Sequence, residues 1–334
     1  MPNSLAASVI TPTFNRRPSL ERLISALQRQ TVAPDSFEVV VIDDGSSDDT
    51  AEWLRSQRTT FALHVLQQEN RGPAAARNAG IEAASAPLVL FLDDDVEPDP
   101  TLVAEHLVSH AAQPGPVAVI GPLASLARYE QPWVEWEQAK LRRQYEEMAR
   151  GEWKPTYRQF WTGNASVSRA AIIDAGAFDT TFLRGEDVEL GRRLADRGMQ
   201  FRFNARAVAV HHAERSLASW ENAHSTYGRL EVQVFKARGE THALDVLGGN
   251  WSRLHRGTRV LLQHCRSHPT HYSALTGILR RVLVSKAAAR TPAISEKVCS
   301  VLANALYWKA FEESEGPMKM NEIMARGERV VENL

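Results

Sequence analysis

Leu88-Val89-Leu90-Phe91-Leu92-Asp93-Asp94-Asp95 is the stretch that decides the fold. Five apolar residues in a row are strand-sized and show no polar alternation, the mark of a strand covered on both faces. Three carboxylates follow at once. Their mutual repulsion is best tolerated beside a cation, and oxygen-only ligands favour Mg²⁺ or Mn²⁺ with positions left open for phosphates. Taken alone, the triplet leaves a solvated acidic turn as the lesser alternative.

The same pattern extends toward the N-terminus. Ala7–Thr11, Phe37–Ile42 and Phe61–Leu66 read as strands. Pro18–Gln30, Asp48–Ser56 and Pro73–Ala84 read as helices, the second capped by Ser47 or Asp48. Such βαβα alternation predicts an α/β fold, a mostly parallel sheet flanked by helices. Ligands of open α/β sheets bind beyond the carboxyl ends of the strands. Three polar clusters fall there: Thr11-Pro12-Thr13-Phe14-Asn15, Asp43-Asp44-Gly45-Ser46-Ser47 and the aspartate triplet.

Toward the C-terminus the pattern loosens. Gln131–Arg150 reads as a charged, solvated segment on the acceptor side. Phe160-Trp161-Thr162-Gly163-Asn164 resumes the order, followed by a helix near Arg169–Ala175 and by Arg184-Gly185-Glu186-Asp187 leading into helix Val188–Arg197. Phe201–Val210 alternates weakly and ends in His211-His212. From Ser216 onward the chain reads as helical, broken at Gly248-Gly249, Pro269 and Pro292. The expected organisation is a catalytic domain over 1–215, with a nucleotide-binding half (8–100) and an acceptor-binding half (101–215), and a helical C-terminal extension over 216–334.

Composition narrows the partners. Lys+Arg 39 against Asp+Glu 40 in 334 residues gives a net charge of -1, so no basic field gathers nucleic acid. The 43% apolar and 24% charged content fits an ordinary packed core. Cys265 and Cys299 form no CxxC pair, which argues for a reducing compartment and against a disulfide scaffold or zinc site. Met1–Ala7 lacks the basic and apolar regions of a signal peptide. No window of about 20 residues stays apolar, so the cytoplasm is expected and a membrane span is not.

The order Thr11-Pro12-Thr13-Phe14-Asn15, Val41-Ile42-Asp43-Asp44-Gly45-Ser46-Ser47-Asp48-Asp49-Thr50, Asn70-Arg71-Gly72-Pro73-Ala74-Ala75-Ala76-Arg77-Asn78-Ala79-Gly80, then Leu90–Asp95 with Pro100 beyond, resembles the nucleotide-binding half of family 2 glycosyltransferases. Gly163-Asn164, Gly176-Ala177-Phe178-Asp179 and Gly185-Glu186-Asp187-Val188-Glu189-Leu190 resemble that family's acceptor-side motifs. The likeness runs over roughly Ser8–His212, and the combination is far more specific than any one piece.

The resemblance implies a GT-A fold and inverting transfer from a nucleotide diphosphate sugar, UDP favoured, to a hydroxyl of a glycan, lipid-linked or small-molecule acceptor, with Mn²⁺ or Mg²⁺ as cofactor. It implies that Thr11, Pro12, Thr13 and Asn15 lie against the nucleoside, that Asp43 accepts from a base imide, and that Arg77 holds the nucleotide. Asp94 then addresses the ribose, Asp95 the metal, and Asp93 orients its neighbours. Gly163 and Asn164 line the sugar and acceptor pocket, and His211 completes the metal or phosphate site, with His212 as the fallback.

The chemistry sets its own requirements. A hydroxyl attacking an anomeric carbon must lose its proton, and a carboxylate within hydrogen-bond reach takes it. Asp187 is the candidate, with Glu186 beside it to orient it or touch the acceptor. Judged locally, the pair suits the first turn of a helix equally well. The departing diphosphate gains negative charge, which a divalent ion neutralises. Trp161 either stacks on a sugar face or packs in the core.

Two rivals stand beside this reading. A sugar nucleotidyltransferase would carry a Gly-rich basic loop after the first strand, and Thr11–Arg17 holds no glycine. A catalytically inactive nucleotide-sugar-binding protein has no need of Asp95, Asp187 and His211 together. The C-terminal third offers three readings: a helical layer on the core, a homodimer surface, or a face for peripheral contact with an anionic membrane.

Overall fold

The computed structural model describes residues 5–112, 115–126, 129–182, 184–236, 239–285 and 291–332, so the reading of Met1–Ala7 lies partly outside it. The chain divides into two compact units, Met1–Ala127 with Lys140–Ala213 and Arg128–Ala139 with Glu214–Leu334.

In the first unit, strands and helices alternate as β1 (Ala7–Thr13), α1 (Arg17–Leu27), β2 (Phe37–Asp43), α2 (Thr50–Ser56), β3 (Ala62–Gln67), α3 (Pro73–Ala83) and β4 (Leu88–Leu92). There follow β5 (Val96–Pro98), α4 (Leu102–Ala111), β6 (Val117–Ile120), β7 (Leu123–Ser125), α5 (Pro132–Ala149), which belongs to this unit only from Lys140 on, β8 (Asn164–Ser168), α6 (Arg169–Asp174), α7 (Glu186–Asp196), β9 (Gln200–Phe203) and β10 (Ala209–His211). The main sheet runs β3-β2-β1-β4-β8-β6-β9, and a small one runs β5-β10-β7.

Register places the polar loops. Strand β1 pairs in parallel with β2, Thr13 against Asp43, and with β4, Ile10 against Phe91. The loops after these three strands therefore leave the sheet at one edge. Strand β8 runs antiparallel to β4 with Asn164 against Leu92, so Gly163 lies where the aspartate triplet begins. In the small sheet His211 pairs with Val96, next to Asp95.

The unbroken apolar strands have helices on both faces. Val9, Val39, Val41, Leu90 and Leu92 share one core with Leu20, Leu23 and Leu27 of α1. Ile10, Val40, Ile42, Val89 and Phe91 share the other with Ala74, Ala76 and Ile81 of α3 and Leu190 and Leu194 of α7. Burial of each large side chain contributes about 1.5–3 kcal/mol. Helix α3 sits so close that a Cβ on Gly80 would lie 2.5 Å from Ile10 Cγ2.

Three local expectations need correction. Gln131–Arg150 is not a solvated segment, because α5 buries Trp133, Val134 and Trp136 early and Tyr145 and Met148 late. Its charges mask an apolar spacing that packing exploits. Helix α2 begins after Asp49 without a side-chain cap, although Asp48 Oδ1 accepts from Thr50 N–H at 3.0 Å. Phe201–Val210 splits into β9 and β10, which belong to different sheets.

The second unit holds α8 (Leu217–Lys236), α9 (Glu240–Ser252), α10 (Arg256–Ser267), α11 (Pro269–Leu283), α12 (Pro292–Glu315) and α13 (Pro317–Glu332). Its core gathers Leu247, Trp251, Leu262, Trp308, Phe311, Met320 and Ile323, with Trp251 and Trp308 edge-on at 5.2 Å. Both cysteines are buried thiols. Among the described residues no helix is long and apolar enough to cross a membrane.

Candidate active site

The loops beyond β1, β2 and β3 are tied together by short polar side chains. Asn15, at φ 55°, accepts through Oδ1 from Ser47 N–H at 2.8 Å, and its own N–H donates to Ser46 Oγ at 2.8 Å. Asp43 Oδ1 accepts from Ser46 N–H at 3.0 Å. Asp44 accepts from Gln68 Nε2 at 2.7 Å, Arg71 N–H at 2.9 Å and Gly72 N–H at 2.8 Å. Gly45 is required at the crossing, where a Cβ would stand 2.8 Å from Asn70 N. Asp44 is thereby a structural acceptor.

Of the residues expected at the nucleoside, Asn15 is exposed and Pro12 half-buried, whereas Thr11 and Asp43 are closed off from solvent. Thr11 Oγ1 and Asp43 Oδ2 have no hydrogen-bond partner. A buried acceptor left unpaired costs about 1–3 kcal/mol, so Asp43 stands ready for an N–H donor.

The aspartate triplet points three ways. Asp94 accepts from Thr13 Oγ1 at 2.8 Å and from Arg16 Nη1 at 3.3 Å. Asp95 meets Arg16 Nη1 at 2.7 Å and His211 Nε2 at 3.5 Å. Asp93 accepts from Arg77 Nη2 at 2.9 Å. Electrostatics separates them. Burial lifts Asp94 to about 7 despite Arg16, and burial also raises Asp93 despite Arg77. Burial pushes Asp95 upward too, but the hydrogen bond and charge of His211 and the charge of Arg16 outweigh it and hold Asp95 well below the carboxylate range. Asp95 is therefore held as an anion.

Arg77 joins this group to the second carboxylate pair. From α3 its Nη1 donates to Glu186 Oε1 at 2.8 Å while Nη2 serves Asp93, and the residue is 5% exposed. Its guanidinium thus grips carboxylates from both halves of the unit. Gly185, at φ 76°, turns the chain into α7 and sets Glu186 and Asp187 in the first turn. Asp187 is half-buried and accepts from Val188 N–H at 2.7 Å. Burial and the neighbouring Glu186 lift it to about 7, against the pull of Arg77. A carboxylate poised there suits a general base. The adjacent Asn78 also ties α3 across, exchanging bonds with Phe178 N–H at 2.9 Å and Phe178 O at 2.8 Å.

Other candidates are placed differently. The Asn164 side chain is 1% exposed and wholly engaged, by His106 Nε2 at 2.9 Å, Pro122 O at 3.1 Å and Ala207 O at 2.8 Å, so it braces the fold where a pocket-lining role was expected. Trp161 packs against the core, edge-on to Tyr145 at 6.2 Å, which favours packing over sugar stacking. Gly163 does border the triplet, since a Cβ there would stand 3.0 Å from Asp93 Oδ2. His211, not His212, faces Asp95; His212 Nε2 lies 3.3 Å from Glu97 Oε2.

Sequence reasoning missed Arg16. Its signal was its place directly after Asn15, in a polar loop at a strand's carboxyl end. The donor set also fits a hard divalent ion. Asp95 Oδ1 and His211 Nε2, 3.5 Å apart, approach the roughly 3 Å that separates neighbouring ligands held about 2.1 Å from one metal. One carboxylate and one imidazole leave the remaining positions to phosphate oxygens and water, as Mg²⁺ and Mn²⁺ require.

The family model for glycosyl transferase family 2 matches residues 8–176. A validoxylamine A glucosyltransferase of Streptomyces hygroscopicus subsp. limoneus is 35% identical over 218 residues, covering 58% of this chain and 48% of that protein. A pre-mycofactocin glycosyltransferase of Mycobacterium tuberculosis is 30% identical over 231 residues, covering 68% and 47%. The chain thus spans about half the length of these curated relatives. Among solved structures, the mannosyltransferase PcManGT of Pyrobaculum calidifontis, in complex with GDP-Man and Mn²⁺, aligns with TM-score 0.56 at 20% identity over 98% of this chain and 88% of its own. S. aureus TarS 1-349 with UDP-GlcNAc aligns with TM-score 0.55 at 16% identity over 93% and 92%. At such identities the likeness concerns the fold, which is GT-A.

Proposed function

The chain belongs to glycosyl transferase family 2, and on that premise we propose that it transfers a hexosyl or N-acetylhexosaminyl group from a nucleoside diphosphate sugar, UDP favoured, to an acceptor hydroxyl with inversion. One observation carries the proposal: Arg77 bridges Asp93 and Glu186, so the carboxylates of the donor side and those of the acceptor side belong to one charge network. A donor's anomeric carbon placed between them would have its leaving group on one side and its attacker on the other.

Asp187 takes the proton of the attacking hydroxyl, and a single displacement inverts the centre. Glu186, held by Arg77, fixes the orientation of this helix turn. Asp43 accepts a base imide through its unpaired Oδ2, and Asn15 and Pro12 flank the nucleoside. Asp95 and His211 would hold Mn²⁺ or Mg²⁺, which supplies charge neutralisation for the leaving diphosphate. Arg16 adds fixed positive charge at the same place, and Asp94, bonded to Thr13, faces the ribose. The structure that shares the fold and was solved with GDP-Man and Mn²⁺ supports this choice of donor class and ion.

Thermal shift with a panel of nucleotides, with and without Mn²⁺, provides the test. UDP with Mn²⁺ should raise the melting temperature, and chelator or Asp95→Ala should abolish that gain. Equal UDP affinity with and without chelator would sink the metal assignment. No response to any nucleoside diphosphate would sink the donor class.

A further inference from the structure

The corner between α10 and α11 gathers three histidines that glycosyl transfer does not use. His264 lies in the last turn of α10, His268 at the junction and His271 in the first turn of α11. The turn at His268, φ -137° and ψ 81°, brings the end of α10 and the start of α11 together, and all three histidines are exposed. The ring centroids of His264 and His268 lie 4.3 Å apart, those of His264 and His271 5.1 Å, and those of His268 and His271 5.0 Å. One ligating nitrogen from each lies within 4.8 Å of the others.

We propose that His264, His268 and His271 form a site for a borderline divalent transition-metal ion, with Zn²⁺ foremost. The hydrogen bonds preset the ligands. His268 Nδ1 lies 3.0 Å from the His264 carbonyl. An N–H there donates to that oxygen and leaves the Nε2 lone pair free, the orienting bond typical of a metal-binding imidazole. His264 Nε2 and His271 Nδ1 lie 2.8 Å apart, facing one another across the position a metal ion would take over.

The backbone beneath is fixed. His268 N–H donates to Cys265 O at 3.3 Å, His271 N–H to His268 O at 3.0 Å, and Tyr272 N–H to His268 O at 3.2 Å. Pro269 locks φ at the start of α11. The rings stack nearly parallel, with interplanar angles between 10° and 19°. A common ion therefore needs rotation about χ2, which is cheap for exposed rings. Zn–N bonds of about 2.0–2.1 Å place tetrahedral nitrogens about 3.3 Å apart, a small widening of the closest pair.

Three neutral nitrogens without a carboxylate select Zn²⁺, Cu²⁺, Ni²⁺ or Co²⁺ over Mg²⁺, Mn²⁺ or Ca²⁺. The argument from cysteine spacing against zinc does not reach this site, whose ligands are imidazoles. An alternative account, a solvated stack of imidazoles, predicts no ion uptake. The three ligands come from two helices, so a bound ion would cross-link α10 to α11 within the helical unit.

The test uses the full chain without a histidine tag, stripped of metal and dialysed against Zn²⁺ in excess Mg²⁺, so that the carboxylate site does not report. The parent should take up one Zn²⁺ per chain at micromolar or lower free zinc, and Co²⁺ substitution should give visible d–d absorption. His268→Ala should weaken uptake at least about tenfold, and the triple alanine variant should take up none while keeping the parent's response to nucleotide. Equal zinc uptake by the parent and the triple variant would overturn the proposal, as would no uptake by the parent.

Discussion

The two units differ in how deeply they bury charge. The α/β unit holds one buried cation that joins distant stretches of chain: Arg77, 5% exposed, holds Asp93 and, 109 residues on, Glu186. In the helical unit many pairs lie along one helix surface, four residues apart, as in Lys309–Glu313, Lys319–Glu315 and Arg326–Glu322. Burying an ion costs several kcal/mol even after relaxation, and apolar replacements of buried pairs are often neutral or stabilising. Stability alone does not explain why Asp93, Asp94, Asp95, Glu186 and Asp187 are kept together. The chemistry proposed for them does, and it lies in the first unit.

The sharpest way to break that comparison is Asp187→Asn. The variant keeps shape and removes the base, so turnover in a sugar-transfer assay should fall by about 10²–10⁴ while nucleotide binding holds. Transfer at the parent's rate would return Asp187 to the role of an ordinary helix-start acid. Arg77→Met comes next. It leaves Glu186 buried without its counter-charge, while Asp93, with its side chain 39% exposed, can turn to water, and urea unfolding should report a loss of about 3–5 kcal/mol, nearly all from Glu186. A loss within the range of a surface pair would mean that the network is solvated and weak.

Much of this was readable in the sequence, and the failures share a cause. Runs such as Leu88–Leu92 announce a strand buried on both faces, and polar clusters directly after them announce a site, because both signals are local. The partner of Arg77 is not local. It depends on how far α3 and α7 advance across the sheet, which no spacing encodes. Asn164 failed for a related reason: an amide beside a glycine suits a pocket or a brace equally, and only the neighbouring His106 and two carbonyls decide. Trp133 and Trp136 were hidden by the charges around them. The convergence of His264, His268 and His271 depends on the α10–α11 corner, which no spacing encodes.

A pH series sharpens the comparison further. Asp187 must be deprotonated to act, and with its carboxyl raised to about 7, kcat/KM should fall about tenfold per unit as pH drops below 7. Stability should run the other way. A carboxyl raised in the folded state favours the protonated fold, so its contribution is complete below the unfolded value of about 3.9 and is lost as pH climbs through 7. Asp94, also raised to about 7, titrates over the same window, so a stability loss that shrinks in Asp187→Asn is what would tie Asp187 to both curves. Parallel curves would assign the activity limb to a different group.

The smallest effect belongs to the helical unit. Lys319 pairs with Glu315 one helical turn earlier, with the lysine side chain 32% and the glutamate 10% exposed. Water screens the lysine, and holding two long side chains in one geometry costs rotamer entropy that offsets most of the attraction. Lys319→Ala should therefore shift unfolding by about 0.3–0.5 kcal/mol, with the shift shrinking as salt rises. If this exposed pair instead approached the cost of Arg77→Met, burial would not be what separates the two units, and the large effect of Arg77→Met would lose its value as a marker of the functional cluster.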